Sequence, residues 1–322
     1  MPIIINSGII IFSSIIIYFA GKKFANISSK IGDYFDLPRD IKGATLDAVS
    51  SSLPELLVAL YSVIFFQKFE VGIGTIAGSA LFNLLIIIGV CVFVAPVTFK
   101  VSRKVISRDA LFYMIAVFSL VILLIYFKVW GLSIALLLLF IYLFYLRDMI
   151  GHTRAYREEA EQKIIKKIKI KKEVSFFFLF MLIIGVATFF LTNSAMELSY
   201  VLNISPIIIA FTIIALATSF PDMVISVTNA KKGDIDDAVS NVLGSNTFNI
   251  LVGLGLPLLI YVLYNGALVI EFANLEIIFG LLGSTILLLY FLADDQILSK
   301  RQAGILLFMY LVFVTYIVSL AI

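Results

Sequence analysis

The sequence predicts an all-α polytopic membrane protein, with ten transmembrane helices arranged as two inverted five-helix repeats. Three observations predict it: an extreme composition, apolar runs of membrane-crossing length, and an internal duplication whose copies lie five helices apart. Of the 322 residues, 61% are hydrophobic and 14% charged, where globular chains carry about 45–50% and about 25%. Mean hydropathy is +1.10. A water-soluble fold of this size cannot hide that much apolar surface in its core. The single cysteine, Cys91, excludes an internal disulfide and a thiolate metal cluster, and the single histidine, His152, excludes a His-based metal site or a Ser-His-Asp triad. A net charge of +3 would suggest a nucleic-acid partner in a soluble chain. Here the placement of the charges matters more, and no nucleic-acid partner is expected.

Runs of about 20 apolar residues cross about 30 Å of hydrocarbon. They fall at 3–20, 44–66, 71–97, 110–127, 129–146, 175–191, 206–227, 238–264, 277–292 and 304–322. The start MPIIINSG has no basic region and no cleavage signal, so the first run is expected to be a mature helix. Lys and Arg then set the orientation. With the N-terminus outside, the inner loops receive Lys22, Lys23, Lys30, Arg39 and Lys42; Lys100, Arg103, Lys104 and Arg108; the basic residues from Arg147 to Lys172; Lys231 and Lys232; and Lys300 and Arg301. Only Lys68 and Lys128 fall outside. The chain therefore divides into a first half at 1–147, a basic cytoplasmic loop at 148–174 and a second half at 175–322. The tail of that loop, EEAEQKIIKKIKIKKEV, reads as a connector obeying the positive-inside rule, with a basic amphipathic helix on anionic lipid as the other reading. The cluster GDIDDA at 233–238 is too short for an EF-hand and reads as a solvated turn.

The stretch GATLDAVSSSLPELLVAL in the second run resembles AFTIIALATSFPDMVISV in the seventh, at an offset of 167. Pro54 matches Pro221, Glu55 matches Asp222, and Ser51 and Ser52 match Thr218 and Ser219. A second block follows each, TIAGSALFNLLIIIG against NVLGSNTFNILVGLG, pairing Ser79 with Ser245 and Asn83 with Asn249. An offset of five helices, an odd number, makes the copies run in opposite directions. Inverted repeats with interrupted helices are the architecture of secondary transporters, whose binding sites lie at the repeat interface.

Among the 21 acidic residues, only Asp47, Glu55 and Asp222 are expected inside the spans, with no buried Lys or Arg to offset them. Each costs about 2.5–3.5 kcal/mol at a helix centre. Glu55 and Asp222 occupy equivalent repeat positions, and a cation is their natural partner. Pro54 and Pro221 supply no backbone N–H, which is expected to interrupt both helices and free the carbonyls of Ser50 and Ala217. Such irregular backbone is tolerated at this depth where it lines a cavity. The available ligands are all oxygen: two carboxylates, the hydroxyls of Ser51, Ser52, Thr218, Ser219, Ser79 and Ser245, the amide oxygens of Asn83 and Asn249, and exposed carbonyls. Hard oxygen donors suit Ca²⁺, which takes about 6–8 of them. Two negative charges balance one Ca²⁺ or spread over several Na⁺. Taken singly, Ser79, Ser245 and the glycines before them fit close helix packing equally well. Asp47, whose counterpart is Ile214, is read as lining the inner vestibule or as an acid of an aqueous entrance.

These two blocks resemble the alpha-1 and alpha-2 repeats of the sodium/calcium exchangers, within the cation/calcium antiporter superfamily. The stretch VGIGTIAGSALFN is especially like the potassium-dependent branch. The resemblance implies a 5+5 transporter exchanging Na⁺ for Ca²⁺ by alternating access, its first and sixth helices sliding across the core. It implies that Glu55 and Asp222 bind both ions. Ser51, Ser52, Thr218, Ser219 and the carbonyls of Ala48 and Ala215 would hold Na⁺ or Ca²⁺, and Ser79, Asn83, Ser245 and Asn249 would complete the shell. Potassium-dependent members carry Asp where this chain has Asn249, so K⁺-independent exchange is expected. Ser51 also replaces the Thr of some relatives, and 148–174 is too short for the Ca²⁺-sensing domains of animal exchangers. No enzymatic chemistry, cofactor or obligatory protein partner is implied; the partners are the transported Na⁺ and Ca²⁺ and the lipid bilayer. A calcium/proton exchanger is the main competing reading, although the Gly-Asn-x-x-Glu pattern of that branch is missing before Glu55. An intramembrane aspartyl protease is disfavoured because Gly-x-Gly-Asp is absent. A passive channel remains open at this level.

Overall fold

The computed structural model describes residues 1–35, 46, 48–157, 170–293 and 295–320. Helix α1 spans Pro2–Tyr34. The second span is broken into α2 (Ala48–Ser51) and α3 (Leu53–Ile64). Then follow α4 (Phe69–Val94) and α5 (Arg103–Tyr126), with α6 (Leu132–Arg157) closing the first half. The second half contains α7 (Ile170–Leu202), α8 (Pro206–Lys232), α9 (Ile235–Asn265), α10 (Leu275–Ala293) and α11 (Lys300–Ser319). Among the described residues nine helices are long and apolar enough to cross a membrane, and the broken α2–α3 segment is the tenth. This is the ten-helix plan that the apolar runs predict.

The packing obeys a pseudo-two-fold. Helix α3 packs on α9 as α8 packs on α4; α9 meets α6 as α4 meets α11; and α9 meets α5 as α4 meets α10. Helix α1 touches α8 as α7 touches α3, while α1 and α7 run along each other. Loop contacts follow the predicted alternation of sides. Strand β1 (Val129–Trp130) pairs antiparallel with β2 (Leu268–Val269), joining two loops predicted to share a face. On the opposite face Lys100 bridges Ile297, and the Ser102 N–H donates to Asp236 Oδ1 at 2.8 Å. A missing or extra crossing would put one member of each pair on the wrong side.

Burial ranks the helices. In α4, 83% of the membrane-length window is buried, against 22% in α1 and in α7. The core is therefore built on α4, α8 and α9, and α1 and α7 lie on its flank with side chains such as Phe12, Phe19, Leu182 and Phe190 exposed where lipid would contact them. Both flanking helices are 33 residues long, or about 50 Å at about 1.5 Å per residue. They thus outrun the apolar stretches: Lys22, Lys23 and Lys30, read as loop residues, continue α1. An ion pair of Lys30 with Glu173 at 3.3 Å ties α1 to α7 beyond the apolar zone.

Three further expectations are corrected. Pro54 does open a new helix after a break at Ser52, but Pro221 lies inside a continuous α8. The chain there has a π turn at Ala210–Ile214 instead, which shifts the backbone register without a break. Arg108, assigned to an inner loop, is buried, and so is Asp109, which makes a further acid inside the fold. They form an ion pair, Nε to Oδ1 at 2.7 Å and Nη2 to Oδ2 at 3.0 Å. Asp109 also accepts Ser240 Oγ at 2.7 Å and Tyr145 OH at 3.3 Å, joining α5, α6 and α9. The 233–238 turn is a helix terminator: Gly233 has φ +84° and the Asp234 N–H returns to the Asn229 carbonyl at 3.0 Å, the left-handed cap that glycine favours. Asp47 and most of the basic loop tail lie outside the described residues.

Candidate functional site

The first carboxylate enters the core because α3 must start at Ser52. Pro54 cannot continue α2, and as one of the first residues of α3 its missing N–H costs nothing. That places Glu55 in the first turn of α3, fully buried. On α8 the preceding π turn presents Asp222, also fully buried. Gly78 lets α4 approach that π turn: a Cβ there would lie 2.2 Å from the Phe211 carbonyl oxygen and 2.7 Å from Ala215 Cβ. The close crossing sets Ser79 and Asn83 of α4 against Ser219 and Asp222 of α8.

Two hydrogen bonds repeat by the pseudo-two-fold. Ser79 Oγ donates to Glu55 Oε1 at 3.0 Å, and its counterpart Ser245 Oγ donates to Asp222 Oδ1 at 2.7 Å. Three contacts cross between the copies. Ser219 Oγ lies 2.8 Å from Ser79 Oγ, Ser51 Oγ lies 3.2 Å from Ser245 Oγ, and Asn83 Nδ2 donates to Asp222 Oδ2 at 2.9 Å. The Ala48 carbonyl accepts Ser51 Oγ at 3.2 Å. The Ala215 carbonyl lies 2.7 Å from Ser219 Oγ and 3.2 Å from Thr218 Oγ1. Ten of the twelve candidate residues thus fall into two hydrogen-bonded groups of five, Glu55–Ser79–Ser219–Ala215–Thr218 and Asp222–Ser245–Ser51–Ala48 with Asn83, each built from both copies of the repeat. Ser52 and Asn249 are equally buried, but their side chains have no hydrogen-bond partner.

The cluster is short of donors. Ser52 Oγ, Glu55 Oε2, Asn83 Oδ1 and both amide atoms of Asn249 are buried without a hydrogen-bond partner. Burying a polar group unpaired costs about 1–3 kcal/mol, and a charge far more. Among the described residues Arg108 is the one buried basic side chain, and it is held by Asp109 rather than by either carboxylate. Four orphaned oxygens beside two buried acids fit a hard cation, which satisfies several oxygens at once. An arrangement of this kind can bind and release a hard cation.

Sequence reasoning missed Asn246. It accepts Asn83 Nδ2 on Oδ1 at 2.9 Å and donates from Nδ2 to the Ala80 carbonyl at 3.2 Å. Ala80 is its own counterpart in the first copy, so the amide spans the pseudo-axis and orients Asn83 toward Asp222. The signal was there: an Asn facing an Ala immediately after the Gly-Ser that both blocks share.

Comparison with known proteins places these observations. The family model described as sodium/calcium exchanger protein matches residues 5–150 and 172–319. The inner membrane protein YrbG of Escherichia coli is 27% identical over 80% of this chain and 80% of its own length. An uncharacterized membrane protein of Methanocaldococcus jannaschii is 25% identical over 96% of this chain and 97% of its own. Human sodium/potassium/calcium exchanger 3 is 41% identical over 113 residues, which are 35% of this chain but only 17% of that protein. Among solved structures, the sodium-calcium exchanger NCX_Mj soaked with Na⁺ and Ca²⁺ superposes with a TM-score of 0.67 at 22% identity, covering 97% of this chain and 98% of that one, a likeness of fold. With the family model covering nearly the whole chain, including both halves of the buried cluster, the protein belongs to the sodium/calcium exchanger family.

Proposed function

We propose that this chain is a secondary active antiporter that exchanges Na⁺ for Ca²⁺ by alternating access, without a K⁺ requirement. The observation that carries the proposal is the mirrored pair Glu55 and Asp222, buried among oxygen-bearing side chains and, among the described residues, paired with no basic side chain. Glu55 and Asp222 bind Ca²⁺ and Na⁺ in turn. Ser51, Ser52, Thr218, Ser219, Ser79 and Ser245, the carbonyls of Ala48 and Ala215, and the amide oxygens of Asn83 and Asn249 supply the remaining ligands. Two carboxylates match one Ca²⁺ in charge, and the same charge spread over more oxygens accommodates several Na⁺, so the ions compete rather than bind together. The names of the relatives support this chemistry, since human sodium/potassium/calcium exchanger 3 and the sodium-calcium exchanger NCX_Mj both carry these ions in their descriptions.

The K⁺-independence rests on Asn249. A neutral amide leaves the cluster with two negative charges, where a carboxylate at that position would make a third and call for another monovalent cation. In this reading the N-terminus is outside and 148–174 is cytoplasmic, following the Lys and Arg distribution. The halves 1–147 and 175–322 act as the two repeats, and α1 with α7 slides across the core to expose the cluster to each side alternately.

The test is Ca²⁺ uptake into proteoliposomes preloaded with Na⁺, with K⁺ as the only other cation, or at low internal pH. Uptake driven by the outward Na⁺ gradient and unchanged by K⁺ is expected. Uptake that follows a proton gradient and ignores Na⁺ would assign H⁺ as the counter-ion, and flux with no gradient coupling would identify a passive channel.

A further inference from the structure

Every candidate ligand is buried, so an ion must cross a layer of protein on either side to reach the cluster. The groups in those layers are informative. On α4 the ligands Ser79 and Asn83 are spaced by four residues and share a face, and Thr75 continues that face one turn toward the Phe69 end. On α9 Ser245 and Asn249 have the same spacing, and Asn241 continues their face one turn toward the Ile235 end. Thr75 and Asn241 are repeat counterparts, both opening the matching blocks TIAGS and NVLGS. Because the copies are inverted, the two residues lie on opposite sides of the cluster, each about 6 Å from its serine along the helix axis.

Both carry a buried oxygen that the fold leaves unused. Thr75 Oγ1 and Asn241 Oδ1 have no hydrogen-bond partner. Six helical threonines, Thr192, Thr212, Thr218, Thr247, Thr285 and Thr315, return the hydroxyl to the carbonyl four residues back, whereas Thr75, like Thr188 of α7, keeps a buried hydroxyl unpaired. Asn241 is held in place by its other end, with Nδ2 donating to Ser226 Oγ at 2.9 Å and to the Asp222 carbonyl at 3.4 Å, which leaves Oδ1 as a fixed acceptor. A packing role alone would be served as well by valine or leucine, without the cost of an unpaired oxygen.

We infer that Thr75 Oγ1 and Asn241 Oδ1 are entry ligands, each contacting the partly dehydrated cation one turn short of the Glu55–Asp222 cluster on one of the two opposed routes. In the proposed orientation Thr75 serves the outer route and Asn241 the inner. A cation losing its water in steps is stabilised by an oxygen placed before the final cage, and the same oxygen eases its departure. The inference rests on the proposed antiport, and it adds sidedness: each residue matters from one face only.

The experiment measures ⁴⁵Ca²⁺ uptake against an opposing Na⁺ gradient in right-side-out and in everted membrane vesicles from cells expressing the full chain. Wild-type vesicles without Na⁺-coupled uptake would refute the antiport itself, and with it this inference. Given wild-type exchange, Thr75→Val is expected to raise the Ca²⁺ KM about tenfold from the outer face, the size of one lost contact to a charged group, and less than about twofold from the inner. Asn241→Leu is expected to do the reverse, and Asn241→Asp, which keeps the oxygen if leucine prevents folding, to lower the inner-face KM alone. Thr75→Ser, retaining the hydroxyl, should behave as wild type. Equal effects from both faces, no effect in either variant, or a Thr75→Ser defect as large as that of Thr75→Val would overturn the assignment.

Discussion

Gly78→Ala is the smallest change expected to disable the cluster while replacing none of its ligands. The added methyl would lie 2.2 Å from the Phe211 carbonyl oxygen, 2.9 Å from its carbon and 2.7 Å from Ala215 Cβ. A carbon–oxygen contact settles at about 3.3–3.6 Å, so α4 and α8 must part by about 1 Å, and the obstacle is backbone that no rotamer change can clear. Overpacking of this kind costs about 1–3 kcal/mol. The functional loss should exceed the loss of stability. The contacts joining the two helices, Ser219 to Ser79 at 2.8 Å and Asn83 to Asp222 at 2.9 Å, would stretch beyond hydrogen-bonding range, and a cation site tolerates about 0.5 Å of ligand error. Na⁺-driven Ca²⁺ uptake in proteoliposomes should fall at least about tenfold, with the detergent-solubilised protein still folded and melting a few degrees lower. Gly283→Ala is the control, because nothing lies within 4 Å of its added methyl. Wild-type uptake and melting temperature in Gly78→Ala would refute the claim that close α4–α8 contact builds the site.

Other perturbations separate the site from its supports. Asp109→Ala strands the buried Arg108 and should destabilise the protein by about 3 kcal/mol or more, seen as a lower thermal midpoint that exceeds any change in ion affinity. Lys30→Met removes a partly exposed ion pair and should change stability by less than about 1 kcal/mol, again by thermal unfolding. Replacing Asn249 by Asp adds a third carboxylate to the cluster and should make Ca²⁺ uptake respond to K⁺; uptake that stays indifferent to K⁺ would remove Asn249 from the account of ion selectivity.

Much of this was legible because a bilayer leaves few choices. Apolar runs had to be helices, the Lys and Arg distribution had to alternate, and Glu55 and Asp222 announced themselves as acids where acids are costly. Repeat matching also located Ser79, Ser245 and Asn83 before any contact was known. What escaped was local and three-dimensional. Pro221 reads like Pro54, yet α8 runs through it without a break, and the irregularity of that helix lies upstream in the π turn at Ala210–Ile214, against which Gly78 of α4 packs. Arg108 and Asp109 read as loop charges because adjacent opposite charges look solvated; their burial depends on Tyr145 and Ser240, far away in the chain. Helices α1 and α7 run past their apolar stretches because each is supported by the other, which no window of hydropathy detects. Asn246 was hidden by its neighbours, since only the folded axis brings it to the carbonyl of its own counterpart.

The most direct test of the shared site is equilibrium binding of Ca²⁺ to the purified protein by isothermal titration at several Na⁺ concentrations. The apparent Kd for Ca²⁺ should rise steadily with Na⁺ in the wild type, and Ca²⁺ binding should vanish in both Glu55→Gln and Asp222→Asn. Ca²⁺ binding that ignores Na⁺, or that survives in either folded variant, would contradict a single cluster used by both ions.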